Sequence, residues 1–173
     1  TCYPMDDKIQ LTIRLLDKTK EIAFPLHLRI PGWCKEATVT VNGVPESTAK
    51  GNSVAIIRRT WKSGDQVLLH LPMEVSTSKW YENSVAVERG PLVYALKMDE
   101  KWEKKEFKGD EITQFGKSYY EVTSPTKWNY GIVAFDPDNM QENFQVTIDK
   151  SKQAGNYFWN VENAPILIKV KAK

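Results

Sequence analysis

Apolar and polar residues alternate along much of the chain. Residues 24–30 read FPLHLRI, so that after the proline every second side chain is apolar. Alternation with a period of two is typical of a strand with one buried and one solvated face. Pro31 restricts Ile30 to extended geometry and offers no backbone donor, so we expect the strand to end there. We expect Trp33, two residues later, to fold back over the edge of the core.

Similar runs recur at short spacing, separated by turns that contain Gly, Pro or Asn. Asn42-Gly43 indicates a hairpin, because both residues accept the positive φ of a type I′ turn. Residues 61–65 (WKSGD) and 136–139 (DPDN) are also predicted to be turns. Up to residue 98 no run is typical of a helix of ordinary length. We predict extended segments at residues 9–15, 24–30, 37–41, 54–58, 67–71, 73–76, 85–88, 92–96, 144–148 and 166–170.

This pattern predicts an all-β fold, an antiparallel β-sandwich with a second, smaller β unit. The composition changes at Met98, where residues 99–110 become rich in Lys and Glu. We expect that stretch to be an exposed connection, with a short helical turn as the alternative. The prediction is therefore a β-sandwich domain over 1–98, and a second smaller β domain, or an extension of the same sandwich, over 99–173.

The composition narrows the classes of function. The chain is 41% apolar and 11% aromatic, which is enough for a core without covalent staples. Its net charge of +2, from 24 basic and 22 acidic residues without a basic block, does not indicate a nucleic-acid partner. No apolar run approaches the roughly 20 residues of a membrane helix. The chain starts at Thr1 without an initiator methionine, and we expect it to be a piece of a longer protein.

Cysteine and histidine do not form a recognisable metal motif. Cys2 and Cys34 are too few for an all-cysteine zinc site. We expect two separate thiols, with a disulfide as the alternative in an oxidising compartment. His27 and His70 each lie between leucines, which places them on the face opposite the core. No metal and no cofactor is predicted.

No familiar catalytic pattern is present either. The sequence contains no GxSxG, no HExxH, no phosphate loop and no dinucleotide fingerprint. Glu74, Glu82 and Glu88 are close in sequence, but a glycosidase needs two carboxyls roughly 5 to 10 Å apart across a cleft. Nothing in the spacing of these residues requires that arrangement, so no catalytic residue is predicted.

Aromatic residues are the stronger functional lead. Several lie at expected strand ends or loops, where an exposed ring can pack on the apolar face of a sugar. The alternative is that these rings cap the sandwich ends or fill an interface with a missing domain. The candidate carbohydrate-binding residues are Trp80, Tyr81, Trp128, Tyr130 and Trp159.

Several short segments occur in a characteristic order along the chain. They are TCYP at 1–4, LRIPGW at 28–33, VTVNG at 39–43, IRRTWKSGDQV at 57–67, LPM at 71–73, VAVERGPLVY at 85–94, WNYG at 128–131 and NAPI at 163–166. Together they resemble the C-terminal β-sandwich region of glycoside hydrolase family 127 (GH127), the β-L-arabinofuranosidase family also known as DUF1680. The resemblance is specific over residues 1–98 and patchier beyond them.

The resemblance implies one or two β-sandwich domains that follow an (α/α)6 barrel, in an enzyme that hydrolyses β-L-arabinofuranosides or related sugars with retention. In the family the cysteine nucleophile, the acid/base glutamate and the zinc-binding cysteines lie in the barrel. Neither Cys2 nor Cys34 matches that context. The resemblance therefore implies a non-catalytic accessory fragment, whose partners are the parent's barrel, a second copy in a homodimer, or a plant-glycan saccharide.

Two further functions stay open at this point. One is a carbohydrate-binding module with its own aromatic site, and the other is a small enzyme in its own right, which would need a carboxylate pair in a pocket. Because enzymes that act on plant glycans are often exported, the resemblance also favours a periplasmic or other extracytoplasmic parent protein.

Overall fold

The computed structural model describes residues 1–107, 116–133, 140–154 and 163–173. All paired strands in these ranges are antiparallel. Within them, no helix has the length and apolar character needed to cross a membrane. The elements are β1 (Lys8–Thr12), β2 (Ile22–Ile30), β3 (Glu36–Val41), β4 (Val44–Lys50), β5 (Ser53–Trp61), β6 (Gln66–His70), β7 (Val75–Lys79), β8 (Val85–Arg89), β9 (Leu92–Tyr94), β10 (Lys101–Glu106), β11 (Ser118–Thr123), α1 (Met140–Asn143), β12 (Phe144–Ile148) and β13 (Ile166–Val170), with short 3-10 turns at Tyr81–Asn83 and Lys150–Ala154.

Two sheets share the main core. One has four strands in the order β1-β6-β3-β4, and the other is the β2–β5 pair. Side chains from both sheets form one buried cluster, which confirms the predicted all-β sandwich. Its members are Leu28, Ile30, Cys34, Ala37, Val39, Val41, Ala55, Ile57, Trp61, Val67, Leu69 and Leu71.

The period-two pattern explains which side chains enter this core. Along β3 and β6 the buried positions alternate with less buried ones, as the sequence predicts. In β5 the alternation also holds, but Val54 and Ile56 face outward and are 50% and 38% exposed. Ala55 and Ile57 are the residues that face the core. The apolar residues of β5 therefore cover both of its faces.

The predicted turn over residues 61–65 is confirmed at residues 62–65, where the Asp65 N–H donates to the Lys62 carbonyl oxygen at 3.2 Å, but it is wrong for Trp61. Trp61 is the last residue of β5 and is fully buried. Its indole Nε1 donates a hydrogen bond to the Phe24 carbonyl oxygen at 2.9 Å, and its ring centroid lies 5.7 Å from that of Phe24. β5 runs beyond the predicted segment 54–58 as far as Trp61, because Trp61 pairs with Ile22 on β2. The local sequence WKSGD does not reveal that pairing.

The turns of the sandwich follow the sequence closely. Asn42 and Gly43 join β3 to β4 with φ values of 53° and 81°, which confirms the predicted hairpin. Pro45 lies on β4 at the edge of its sheet, where a missing backbone donor is tolerated. Trp33 packs against the core cluster, as expected.

A three-stranded sheet, β7-β8-β9, follows the sandwich. It brings the sequence segments LPM and ERGP together, because Gly90 lies against Met73. A Cβ at Gly90 would be 2.7 Å from the Met73 sulfur, and the φ of Gly90 is +60°. Arg89 is buried beside them and donates from Nη1 to the same sulfur at 3.6 Å.

Residues 101–106 correct the prediction of an exposed connection or a helical turn in the Lys- and Glu-rich stretch. They form β10, which pairs with β11. Cross-strand contacts stabilise this hairpin: Lys105 forms an ion pair with Glu121, and the Trp102 and Tyr120 rings meet at 5.8 Å. These partners are distant in sequence, so local composition did not indicate them.

Candidate functional site

Trp80 and Tyr81 lie at the tip of the β7–β8 hairpin. Their side chains are 65% and 84% exposed. The Trp80 backbone N–H donates to the Ser84 carbonyl oxygen at 2.9 Å, which closes the loop. Glu82 and Asn83, which lie between Trp80 and Ser84, have a left-handed backbone conformation with φ values of 54° and 61°. This sharp reversal of the chain leaves both predicted rings in solvent.

A chain of hydrogen bonds connects Trp80 to the neighbouring strand. The indole Nε1 donates to Ser78 Oγ at 2.8 Å. Ser78 Oγ donates in turn to Glu88 Oε1 at 2.6 Å. Ser78 and Glu88 are half-buried, whereas the Trp80 ring is largely exposed. The indole is therefore held in one direction by polar groups on β7 and β8.

The other predicted rings lie elsewhere in the chain. Trp128 and Tyr130 are 77% and 48% exposed and precede Gly131, which exchanges backbone hydrogen bonds with Lys173. Among the described residues, no ring contact connects this pair with Trp80 or Tyr81. Trp159 lies outside the described residues. The sugar-binding role of all five stays a prediction.

Sequence reasoning missed the polar half of the hairpin tip. Ser78 could have been found, because it precedes Trp80 by two positions and a strand brings such residues to one face. Glu88 could not, since the register that pairs Ser76 with Glu88 is a property of the fold. The Trp102–Tyr120 ring pair was missed for the same reason: both rings are about 60% exposed, at 59% and 60%, but they meet only across β10–β11.

The two thiols do not form a nucleophilic or metal site in the described ranges. No disulfide joins Cys2 to Cys34. Burial raises the pKa of the Cys34 thiol, and the negative charge of Glu74 adds to that rise against a backbone hydrogen bond that lowers it. A thiol with a raised pKa is a poor nucleophile at neutral pH, so Cys34 acts as a small core residue.

The histidines differ in their surroundings. His27 is exposed, as predicted. His70 is only half-exposed, and its Nε2 lies 3.1 Å from Asp7 Oδ2. In the part of the chain that the structure describes, no group of three or more His, Cys, Asp and Glu side chains is arranged to hold a metal ion. A shallow concavity of about 460 Å³ is lined by Thr12, Arg14, Leu15, Lys18, Ser63 and Gly64, a set without a ring or a carboxylate.

Comparison with known proteins finds a family similarity in the first part of the chain. Residues 1–73 match the family model described as "Beta-L-arabinofuranosidase, GH127 middle domain". Over 103 residues the chain is 32% identical to the non-reducing end β-L-arabinofuranosidase of Bifidobacterium longum subsp. longum, covering 53% of this chain and 15% of that protein. Residues 1–73 of this chain are thus similar to a domain of glycoside hydrolase family 127. The matched GH127 segment contains β1–β6 and every member of the core cluster.

Solved structures of glycoside hydrolases are also similar. A GH127 β-L-arabinofuranosidase from Geobacillus stearothermophilus T6 is 28% identical with a TM-score of 0.46, covering 71% of this chain and 26% of that one. A structure described as a glycoside hydrolase is 30% identical with a TM-score of 0.48, covering 79% of this chain and 26% of that one. The chain thus spans about a quarter of these structures and 15% of the curated relative.

Proposed function

We propose that this chain is a non-catalytic β-sandwich region of a β-L-arabinofuranosidase-like glycoside hydrolase, and that it supports an (α/α)6 catalytic barrel outside these 173 residues. The observation that carries the proposal is the match of residues 1–73 to a GH127 middle domain. The same residues enclose a complete buried cluster. A region with its own core can serve as a rigid support for a neighbouring domain.

Exposed apolar residues are available for such a contact. Val54 and Ile56 face outward from β5, and Trp102 faces outward from β10. Single exposed apolar residues are ordinary, but neighbours on one strand face are typical of surfaces that another domain covers. We also propose that residues 1–98 and 99–173 are two successive β units of this support.

The accessory role predicts no hydrolysis by the chain alone. The purified chain should release no product from an aryl β-L-arabinofuranoside, whereas the parent enzyme should. When the parent's barrel is expressed separately, added chain should bind it and raise its melting temperature by mass action. Hydrolysis by the isolated chain would overturn the accessory role. So would a barrel that does not bind the chain and whose melting temperature does not change when the chain is added.

A second function is saccharide binding, and the hairpin tip favours it. Trp80 is exposed, yet its indole is held by Ser78 at 2.8 Å. A ring that is already ordered loses little conformational entropy when a sugar packs on it. Calorimetric titration with L-arabinose and L-arabino-oligosaccharides tests this function, and a flat titration from a folded sample would contradict it.

A further inference from the structure

One face of the β7-β8-β9 sheet extends into the tip of the β7–β8 hairpin. Trp80 has extended backbone, with φ −128° and ψ −168°, so it prolongs the alternation of β7. Ser78 and Trp80 therefore lie on one face. The pairing of Ser76 with Glu88, and of Glu88 with Val93, places these residues on that same face. We call Ser78, Trp80, Glu88 and Val93 the tip face.

The tip face combines apolar surface with a hydrogen-bond acceptor. Val93 is 70% exposed and Trp80 is 65% exposed, so both offer apolar area to a ligand. Glu88 uses Oε1 to accept from Ser78, which leaves Oε2 as an acceptor. Among the described residues no cation forms an ion pair with Glu88.

Opposite faces of this sheet differ in charge. Arg89, the neighbour of Glu88, lies on the other face and is buried. Lys79, beside Trp80, also alternates to that other face. The tip face thus presents the carboxylate of Glu88 without a balancing cation. A ligand that carries its own negative charge would be repelled there.

We propose that the tip face binds a neutral saccharide, with the sugar's apolar face on the Trp80 ring and a hydroxyl donating to Glu88 Oε2. Ser78 is a positioning residue, since it holds both the indole and the carboxylate. This inference rests on the proposed saccharide-binding function and adds to it the residues and the charge of the ligand. Glu88 disfavours sugars that carry a carboxylate, because like charges repel.

A matched pair of ligands tests the charge selectivity. D-galactose and D-galacturonate share their ring hydroxyls and differ at C6, where the second carries a carboxylate. Together with L-arabinose and an L-arabino-oligosaccharide, they are titrated into the folded 173-residue chain. Galacturonate should bind at least about tenfold more weakly than galactose. In Glu88→Gln the carboxylate is absent, so this discrimination should disappear while binding of the neutral sugars weakens about tenfold.

Tryptophan variants locate the site. Trp80→Ala should remove detectable binding, and Trp80→Phe, which keeps a ring but lacks the N–H, should retain part of it. Trp102→Ala is the matched control, because Trp102 is 59% exposed and its indole also donates a side-chain hydrogen bond, in this case to Glu100 Oε2 at 2.8 Å. It should bind as the unmodified chain does.

The outcomes separate the site from the function. Binding that survives in Trp80→Ala and is lost in Trp128→Ala would overturn the tip face but leave saccharide binding standing. A flat titration of the folded chain with all four sugars would overturn both, without bearing on the accessory role. Equal affinity for galactose and galacturonate would overturn the assignment of Glu88.

Discussion

The β1–β6 sandwich and the β10–β11 hairpin both consist of well-paired antiparallel strands, but they bury very different amounts of side chain. In β3, Ala37, Val39 and Val41 are at most 2% exposed. In β10 and β11 every side chain is exposed or intermediate, including the 59% exposed Trp102. Strand pairing satisfies the backbone in both regions. Among the described residues, the difference is that a second sheet packs on the sandwich strands and none packs on the hairpin.

This difference locates the stability of the chain. A two-stranded hairpin is marginal in water unless another layer covers it. The sandwich has such a layer, because β2–β5 packs over β3 and β6. We therefore expect the free energy of folding to be concentrated in the segment that matches the GH127 middle domain.

The largest predicted effect contrasts two tryptophans. Trp61→Ala removes a fully buried ring and its hydrogen bond to Phe24, and it should lower the free energy of unfolding by about 3–5 kcal/mol. Trp102→Ala removes an exposed edge contact with Tyr120 and an exposed hydrogen bond to Glu100, and it should cost at most about 1.5 kcal/mol. Urea denaturation of both variants measures the difference. Equal losses would show that the hairpin is as well packed as the sandwich.

Two glycines give a smaller contrast. Gly90 and Gly116 both have positive φ, so alanine should cost about 1–2 kcal/mol of backbone strain at each. At Gly90 the new Cβ also meets the Met73 sulfur at 2.7 Å, whereas at Gly116 it meets no atom of the described residues within 4 Å. Overpacking should therefore add about 1–3 kcal/mol at Gly90 only. Denaturant midpoints of Gly90→Ala and Gly116→Ala that coincide would contradict the close packing of Gly90 on Met73.

The smallest effect concerns acid pH. Burial raises the pKa of Asp7, but side-chain hydrogen bonds with His70 and Asp6 lower it. The charges of His70 and Lys8 lower it further, so that the pKa lies below its ordinary value. Stability from this carboxylate is therefore present above its unfolded pKa of about 4 and is lost as pH falls through the lower folded value. Asp7→Asn should flatten the fall in melting temperature between about pH 5 and about pH 2.

Asp149 is the matched control for that experiment. Its pKa is also lowered, chiefly by hydrogen bonds from the Ser151 side chain and backbone, but its carboxylate is exposed just after β12, outside the sandwich. Solvent screens such a contact, so Asp149→Asn should leave the fall in melting temperature at acid pH nearly unchanged. A larger change in Asp149→Asn than in Asp7→Asn would contradict the assignment of acid sensitivity to the sandwich.

The same contrast separates what the sequence predicted from what it could not. Alternation located β3 and β6, and Asn42-Gly43 located a hairpin, because these signals are local. Trp61 and β10 were misjudged, because their structure depends on pairing with Ile22 and with β11. For the candidate site, the chain position of Trp80 indicated exposure. The partnership of Ser78 with Glu88 required the register of two strands.

Amide hydrogen exchange of the 173-residue chain tests the central claim, that residues 1–73 form a support unit with its own core, most directly. The account predicts that amides in β3, β5 and β6 exchange only through global unfolding. Those of β10 and β11 should exchange at least about a hundredfold faster through local opening. Equal protection in the two regions would contradict a self-contained sandwich and would place the stabilising core across the whole chain.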